Sequence, residues 1–305
     1  KDENNESIYC RNLLFSTDNE LWIGTETGVY IYNLRTEKYT HLRSSEYDPY
    51  SLSDNAIYSF CKDREDGIWI GSYFGGVNYY PRSYTNFEKY YPKGTENSLH
   101  GKRVREFCRD NHGVLWIGTE DGGLNRFNLN TKEFSFFAPS AGFTNIHGLC
   151  LVDDNLWVGT FSKGLKIIDT RTGNILKTYQ KNNSPRSLID NSIFAISKTA
   201  TGDIYLGTMF GLVRYNKQSD DFDRIPELNG KFVYDIKEDS DGNIWLATYA
   251  NGAYCYNVND RKWKNYVHDE KDATSLPYNK VSSVFEDSHR QIWLTTQGGG
   301  FCLFH

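Results

Sequence analysis

One pattern recurs along the whole chain and limits what it can fold into. Residues 21–33 read LWIGTETGVYIYN, residues 68–78 read IWIGSYFGGVN and residues 115–128 read LWIGTEDGGLNRFN. The anchoring aromatic returns at Trp22, Trp69, Trp116, Trp157, Tyr205, Trp245 and Trp293, at spacings of 40–48 residues. Six of the seven tryptophans hold this one position; only Trp263 lies elsewhere. A period of about 45 residues sustained from end to end specifies a repeat architecture, in which each unit is too small to bury its own faces and must stack on a neighbour.

Each unit reads as four short strands. In the second, AIYSFCK (56–62), IWIGS (68–72), VNYY (77–80) and NFEKYY (86–91) are aromatic and β-branched runs. They are separated by DREDG, YFGG and a polar connection, which is strand and turn chemistry. No 3.6-residue period lasts long enough for a helix. The Gly before each third strand suits a turn that needs positive φ. Four strands at this period indicate an all-β, seven-bladed β-propeller of four-stranded antiparallel blades. The blades lie at roughly 8–43, 55–91, 102–138, 144–180, 191–227, 231–267 and 279–305 of a single domain, 1–305. Cys10, Ile57, Val104, Ile146, Ile193, Val233 and Val281 stand at one position of the first strands and are expected to face inward. The blades should stack through their Trp faces.

Charge and composition exclude several classes. A net charge of -5 with no basic tail or stripe argues against nucleic acid as a partner. No run of 18 apolar residues occurs, so no membrane span is expected. The polar start, KDENNE, reads as a chain whose leader has been removed or that is cut from a longer one. The six cysteines sit at repeat positions. Cys61, Cys108 and Cys150 precede the anchor by eight or seven residues, and Cys255 and Cys302 take the third-strand position of Ile31. They are expected to be buried free thiols filling core slots rather than disulfides.

Catalytic signals do not emerge. The seven His are scattered, without metal-ligand spacing, and neither a metal nor a cofactor is expected. DSDGN (239–243) resembles the start of a calcium loop but lacks the later ligands, and the equivalent DREDG, DNHG and DSHRQ favour a hairpin turn. No nucleophile motif, P-loop or acid–base carboxylate pair is present.

The loops between second and third strands are more suggestive, since propeller geometry brings them to one face. They carry Tyr73, Phe74, Phe161, Phe210 and Tyr249, with Glu120, Asp121, Lys163, Asn251 and Gln297 among them. Exposed rings beside such polar groups suit stacking on sugar rings and bonding to their hydroxyls; packing of loop against loop is the plainer alternative. The longer connections between blades share Leu52, Leu99, Leu188 and Leu276, each expected to plug its loop onto the sheet.

The unit D-x-x-G-x-[LI]-W-[IL]-G-T-x-x-G-G-[LV]-x-x-[YF]-N, followed by S-L-x-x-N, resembles the two-component regulator propeller repeat. The likeness covers 8–305 and is most specific in DGIWIGSYFGGVNYY, HGVLWIGTEDGGLNRFN and DGNIWLATYANGAYCYN. It is weaker in the fifth unit, where Tyr205 replaces Trp, and in the seventh, where Thr295 replaces Gly. The resemblance implies the periplasmic sensor region of a hybrid two-component protein of gut anaerobes. Such proteins carry two propellers, a β-sandwich, a membrane helix, and kinase and regulator domains, and detect oligosaccharides to regulate polysaccharide utilisation. It implies the other domains of the same protein as partners, a homodimer when intact, and no catalysis in this part. A propeller lyase or hydrolase-like enzyme and a pure interaction scaffold are the rival readings. The seventh unit stops after GGFCLFH, so its blade is expected to have three strands and an edge at 300–305, with the polar residues 1–7 a poor donor of a fourth.

Overall fold

The computed structural model describes residues 8–82, 87–137 and 144–304. These form seven antiparallel sheets of three or four strands, with no α-helix among the described residues and a single 3₁₀ turn at Pro226–Leu228. Each sheet is a blade of a β-propeller. The chain divides into two compact units, Lys1–Gly94 and Thr95–His305.

The first unit holds two blades. Blade 1 is β1 (Cys10–Thr17), β2 (Glu20–Thr25), β3 (Gly28–Asn33) and β4 (Lys38–Leu42); blade 2 is β5 (Ile57–Lys62), β6 (Ile68–Ser72) and β7 (Val77–Tyr80). Trp22 of blade 1 is buried with Val29 against Ile57, Ile68 and Ile70 of blade 2, and Leu52 closes the cluster. The fourth strand expected at 86–91 is not formed: residues 87–91 run without strand pairing, and Asn86 lies outside the described residues.

The second unit holds five blades. Blade 3 is β8 (Val104–Arg109), β9 (Val114–Thr119), β10 (Gly123–Asn128) and β11 (Phe134–Phe136). Blade 4 is β12 (Ile146–Val152), β13 (Asn155–Thr160), β14 (Leu165–Asp169) and β15 (Ile175–Tyr179). Blade 5 is β16 (Ile193–Lys198), β17 (Ile204–Thr208), β18 (Gly211–Asn216) and β19 (Asp221–Arg224). Blade 6 is β20 (Val233–Glu238), β21 (Ile244–Thr248), β22 (Ala253–Asn257) and β23 (Lys262–Tyr266). Blade 7 has the three strands foreseen, β24 (Val281–Glu286), β25 (Ile292–Thr296) and β26 (Gly300–Phe304). Phe301 stands exposed on the last of them. Residues 1–7, whose pairing with that strand was in question, lie outside the described residues.

Stacking follows one rule within each unit. The anchor face of a blade packs on the opposite face of the next: Trp116 on Ile146, Leu156 and Val158; Trp157 on Ile193, Ile204 and Leu206; Tyr205 beside Val233, Ile244 and Leu246; Trp245 on Val281, Ile292 and Leu294. Fully burying such a side chain is worth roughly 1.5–3 kcal/mol relative to leaving it in water. Not every repeat position follows the expectation. Trp69, expected to be buried, is 45% exposed, and Trp293 is half-buried. Cys10 and Val104, expected to face inward, are exposed; Ile57, Ile146, Ile193, Val233 and Val281 are buried.

The turns repeat as closely as the strands. A carboxylate before the anchor holds the hairpin: Asp239 Oδ1 accepts the backbone N–H of Asp241 and Asn243, while Oδ2 accepts Trp245 Nε1–H at 2.8 Å. Asp63, Asp110 and Asp287 do the same for Trp69, Trp116 and Trp293. DSDGN is therefore a hairpin turn whose Asp is fully engaged. At the other end, the hydroxyl closing each second strand donates to the carbonyl of the Gly that opens or precedes the third, as in Thr248 Oγ1 to Gly252 O at 2.6 Å. Gly252 has φ +74, and a Cβ there would lie 2.0 Å from the Tyr266 carbonyl oxygen. The shared leucines are plugs as expected, with Leu52, Leu99, Leu188 and Leu276 all buried.

The cysteines are all free, but the expected burial holds for Cys255 alone; Cys10 and Cys61 are exposed and Cys108, Cys150 and Cys302 half-buried. Cys302 also departs from the position of Ile31. Ile31 pairs with Trp22, whereas Leu303 pairs with Trp293 and Cys302 with Leu294. The loop between second and third strands is one residue longer in blade 7 than in blade 1, which moves every later side chain to the other face.

Candidate functional site

All seven first strands break register at the same point. The residue that pairs with the Thr, or Ser72, ending the second strand is followed by one unpaired residue before the ladder resumes. This is a β-bulge, a device that re-aims a side chain at the edge of a sheet. The bulged residues are Arg11, Tyr58, Arg105, His147, Phe194, Tyr234 and Ser282. The pairing puts each beside its own blade's loop between second and third strands.

In the second unit these residues and the loops form one connected surface. Phe161 lies with ring centroids 5.7 Å from His147 and 6.0 Å from Phe194. Phe194 meets His147 at 4.7 Å, Phe232 at 4.4 Å and Tyr234 at 5.8 Å. Phe232 stacks on Tyr249 at 5.3 Å and 21°. Two cations cap the run: Lys280 Nζ is 4.0 Å from the Tyr249 centroid and the Arg105 guanidinium 4.9 Å from that of Tyr234, geometries that gain from the negative ring face. Glu120 sits 3.7 Å from Arg105 and 3.9 Å from His147 Nε2. The floor, His147 and Phe194, is buried, while Phe161 and Tyr249 are open to solvent.

The first unit builds a smaller version. Arg11 lies over the Tyr58 ring at 4.2 Å and pairs with Glu26, as Arg105 pairs with Glu120 at the same loop position of its own blade. Tyr58 stacks on Tyr73 at 5.1 Å and 14°, and Tyr73 meets Phe74 at 4.3 Å.

Of the residues singled out from the sequence, Glu120, Phe161 and Tyr249 enter the surface of the second unit, and Tyr73 and Phe74 that of the first. Asp121 serves its own loop: its carboxylate accepts the N–H groups of Lys102 and Arg103, foremost among the causes holding it below the usual carboxylate range. Phe210 is exposed outside the run of rings. Asn251 and Gln297 use their backbone N–H groups on Thr248 Oγ1 and the Lys280 carbonyl. The missed residues are the bulged ones with Phe232 and Lys280. Position is the one feature that the bulged residues share, each directly following the repeat position at Cys10, Ile57, Val104, Ile146, Ile193, Val233 or Val281.

Two groups in the second unit titrate abnormally. Burial, aided by the Arg105 charge and opposed by Glu120, pushes the His147 imidazole down to about 4. Burial, reinforced by Asp235, raises the Glu106 carboxyl to about 7. Asp235 is itself tied to blade 7, accepting Ser283 Oγ–H at 2.7 Å and Val284 N–H at 3.0 Å. Nearby charge and desolvation are the expected causes of such shifts. A cavity of about 690 Å³ lies elsewhere in this unit, lined by Glu96, His100, Arg126 and Phe134 among others.

Three stretches, 51–74, 98–121 and 227–250, match the family model described as the two-component regulator propeller. They fall around the second, third and sixth anchors, where the sequence likeness was strongest. A relative, histidine kinase P4 of Formosa agariphila, is 28% identical over 151 residues, which are 50% of this chain and 8% of the kinase. The extracellular domain of a hybrid two-component system from B. thetaiotaomicron superposes with a TM-score of 0.57 at 23% identity, covering 100% of this chain and 40% of that one. PorZ, a surface component of the type-IX secretion system of Porphyromonas gingivalis, gives 0.58 at 15% identity, over 96% and 46% of the two chains. At these identities the structural likeness speaks for the fold alone, and the chain spans less than half of each of these proteins. Among the described residues no helix is long and apolar enough to cross a membrane. In these three stretches the chain carries the two-component regulator propeller repeat.

Proposed function

We propose that this chain is part of the extracytoplasmic, periplasmic sensor region of a hybrid two-component protein and that it binds an oligosaccharide, so that genes for polysaccharide utilisation respond to it. The observation that carries the reading is the surface running from Phe161 through His147, Phe194 and Phe232 to Tyr249. It offers ring faces for stacking on sugars, with Glu120, Arg105 and Lys280 at its margin for their hydroxyls. Asn251, Gln297, Asp121 and Phe210 stand on the same set of loops, and Tyr73 and Phe74 supply rings in the first unit. The kinase relative and the extracellular domain that shares the fold support placing it in a signalling protein. Its partners in that protein are the other domains and a second copy.

A thermal-shift screen of the chain against oligosaccharides of two to six residues tests this. A ligand that binds only the folded state raises its melting temperature, and at least one sugar class is expected to do so in wild type and to lose the effect in Tyr249→Ala. The same rise in both proteins, or no rise with any sugar, would remove this surface from consideration.

A further inference from the structure

His147 carries an unmet valence at the centre of this surface. The residue is 6% exposed, and its Nδ1 is buried without a hydrogen-bond partner. Its other nitrogen is committed: Nε2 lies 2.7 Å from Asn145 Oδ1 and 3.9 Å from the Glu120 carboxylate. Both neighbours are acceptors, so the single proton of a neutral imidazole resides on Nε2, and Nδ1 presents a lone pair. Burial and the Arg105 charge keep the ring neutral at physiological pH. A buried acceptor without a donor is costly and calls for an explanation.

The surroundings supply one. The ring lies against both Phe194 and Phe161, which also touch each other. Phe194 is buried, whereas Phe161 is 38% exposed on the loop joining β13 to β14. Phe161 is therefore the ring free to swing out.

We propose that His147 is the specificity-determining residue of this site: with Phe161 displaced, Nδ1 accepts a hydrogen bond from a hydroxyl of a sugar seated on the neighbouring rings. The inference rests on the reading of the surface as an oligosaccharide platform and adds to it the group that is read, a hydroxyl donor. An ether, O-methyl or deoxy centre at that position leaves Nδ1 unmet and is rejected, as sites built to bond a hydroxyl reject analogues that lack it.

Two measurements on the full 305-residue chain test it. Nitrogen-15 NMR of the imidazoles, without ligand, is expected to show His147 as the Nε2–H tautomer with a bare Nδ1; a protonated Nδ1 would overturn the proposal whatever binds. Calorimetric titration then compares wild type, His147→Phe and His147→Asn with the oligosaccharide giving the largest thermal shift in a panel of cello-, xylo-, manno- and arabino-oligosaccharides. His147→Phe keeps an aromatic ring without an acceptor and should lose roughly tenfold or more in affinity, the scale of one hydrogen bond to a buried group. His147→Asn, whose amide oxygen can take the place of Nδ1, should recover most of the loss. Should His147→Phe fail to fold, mono-deoxy versions of that sugar with the wild-type protein take its place, and one of them is expected to bind at least as weakly. Equal binding to wild type and His147→Phe, or equal binding of every deoxy sugar, would overturn the role of His147 and leave the platform standing. No binding of any sugar by wild type would overturn the platform and this proposal together.

Discussion

At the residue scale, burial decides what each repeat position is worth. Trp116 is fully buried between blades 3 and 4, whereas Trp69, at the same repeat position, is half-exposed. Trp116→Ala should cost about 3–5 kcal/mol in chemical denaturation, the range for core aromatic truncation, and Trp69→Ala clearly less; equal losses would contradict the stacking rule. Glu106 allows a test with a defined sign. Its carboxyl is raised from 4.5 to about 7, so the folded state binds the proton more tightly than the unfolded one. The stability linked to this group is present below 4.5 and is lost as pH rises through about 7. Glu106→Gln removes that loss and should raise stability by roughly 1–3 kcal/mol above pH 7, with a gain that shrinks toward pH 4.5. His147 runs the other way: depressed from 6.5 to about 4, it contributes stability that is present above 6.5 and fades as pH falls through about 4. His147→Phe should flatten that part of the stability profile, which acid titration followed by tryptophan fluorescence would reveal.

At the scale of the element, the repeat is held by turns as much as by strands. Asp239 joins the hairpin between β20 and β21 to the anchor, so Asp239→Ala strands two turn N–H groups and the Trp245 indole N–H. A loss of about 1–3 kcal/mol is expected, with Asp239→Asn milder because one oxygen remains; no change in denaturant midpoint would show the turn to be self-supporting. These features were legible in the sequence because they recur. The anchor, the Gly before the third strand and the plugging leucines each return at a fixed offset, and repetition separates a structural role from chance. The bulge was not legible in the same way. Its position is constant, but its occupant changes from Arg to Tyr, His, Phe and Ser, so no residue type betrays it. An alternating reading of the first strand also passes over an extra residue. Two further failures have equally local causes. The fourth strand of blade 2 has strand-like composition without forming pairs, and one added loop residue in blade 7 carries Cys302 off the position that spacing alone assigned to it.

At the scale of the whole molecule, the period near 45 residues dictated seven sheets, and the described residues form seven. What periodicity could not specify is which faces remain uncovered. Val104 and Trp69 are exposed where Ile146 and Trp116, at the same repeat positions, are buried, so residue type alone does not decide it. The candidate site was half legible for the same reason. Loop aromatics announce themselves by being bulky where turns are usually small, and Phe161 and Tyr249 were found that way. The rings beneath them, Phe194, Phe232 and Tyr234, read as ordinary strand residues until five first strands are brought together in space.

The most direct test of the functional account is a crystal structure of the chain soaked with the oligosaccharide that most raises its melting temperature. The account expects a sugar ring stacked on Tyr249 or in the place of Phe161, with a hydroxyl within 3.2 Å of His147 Nδ1, a normal hydrogen-bond distance. A sugar bound instead in the cavity lined by Glu96, His100, Arg126 and Phe134, with the rings from Phe161 to Tyr249 untouched, would contradict it.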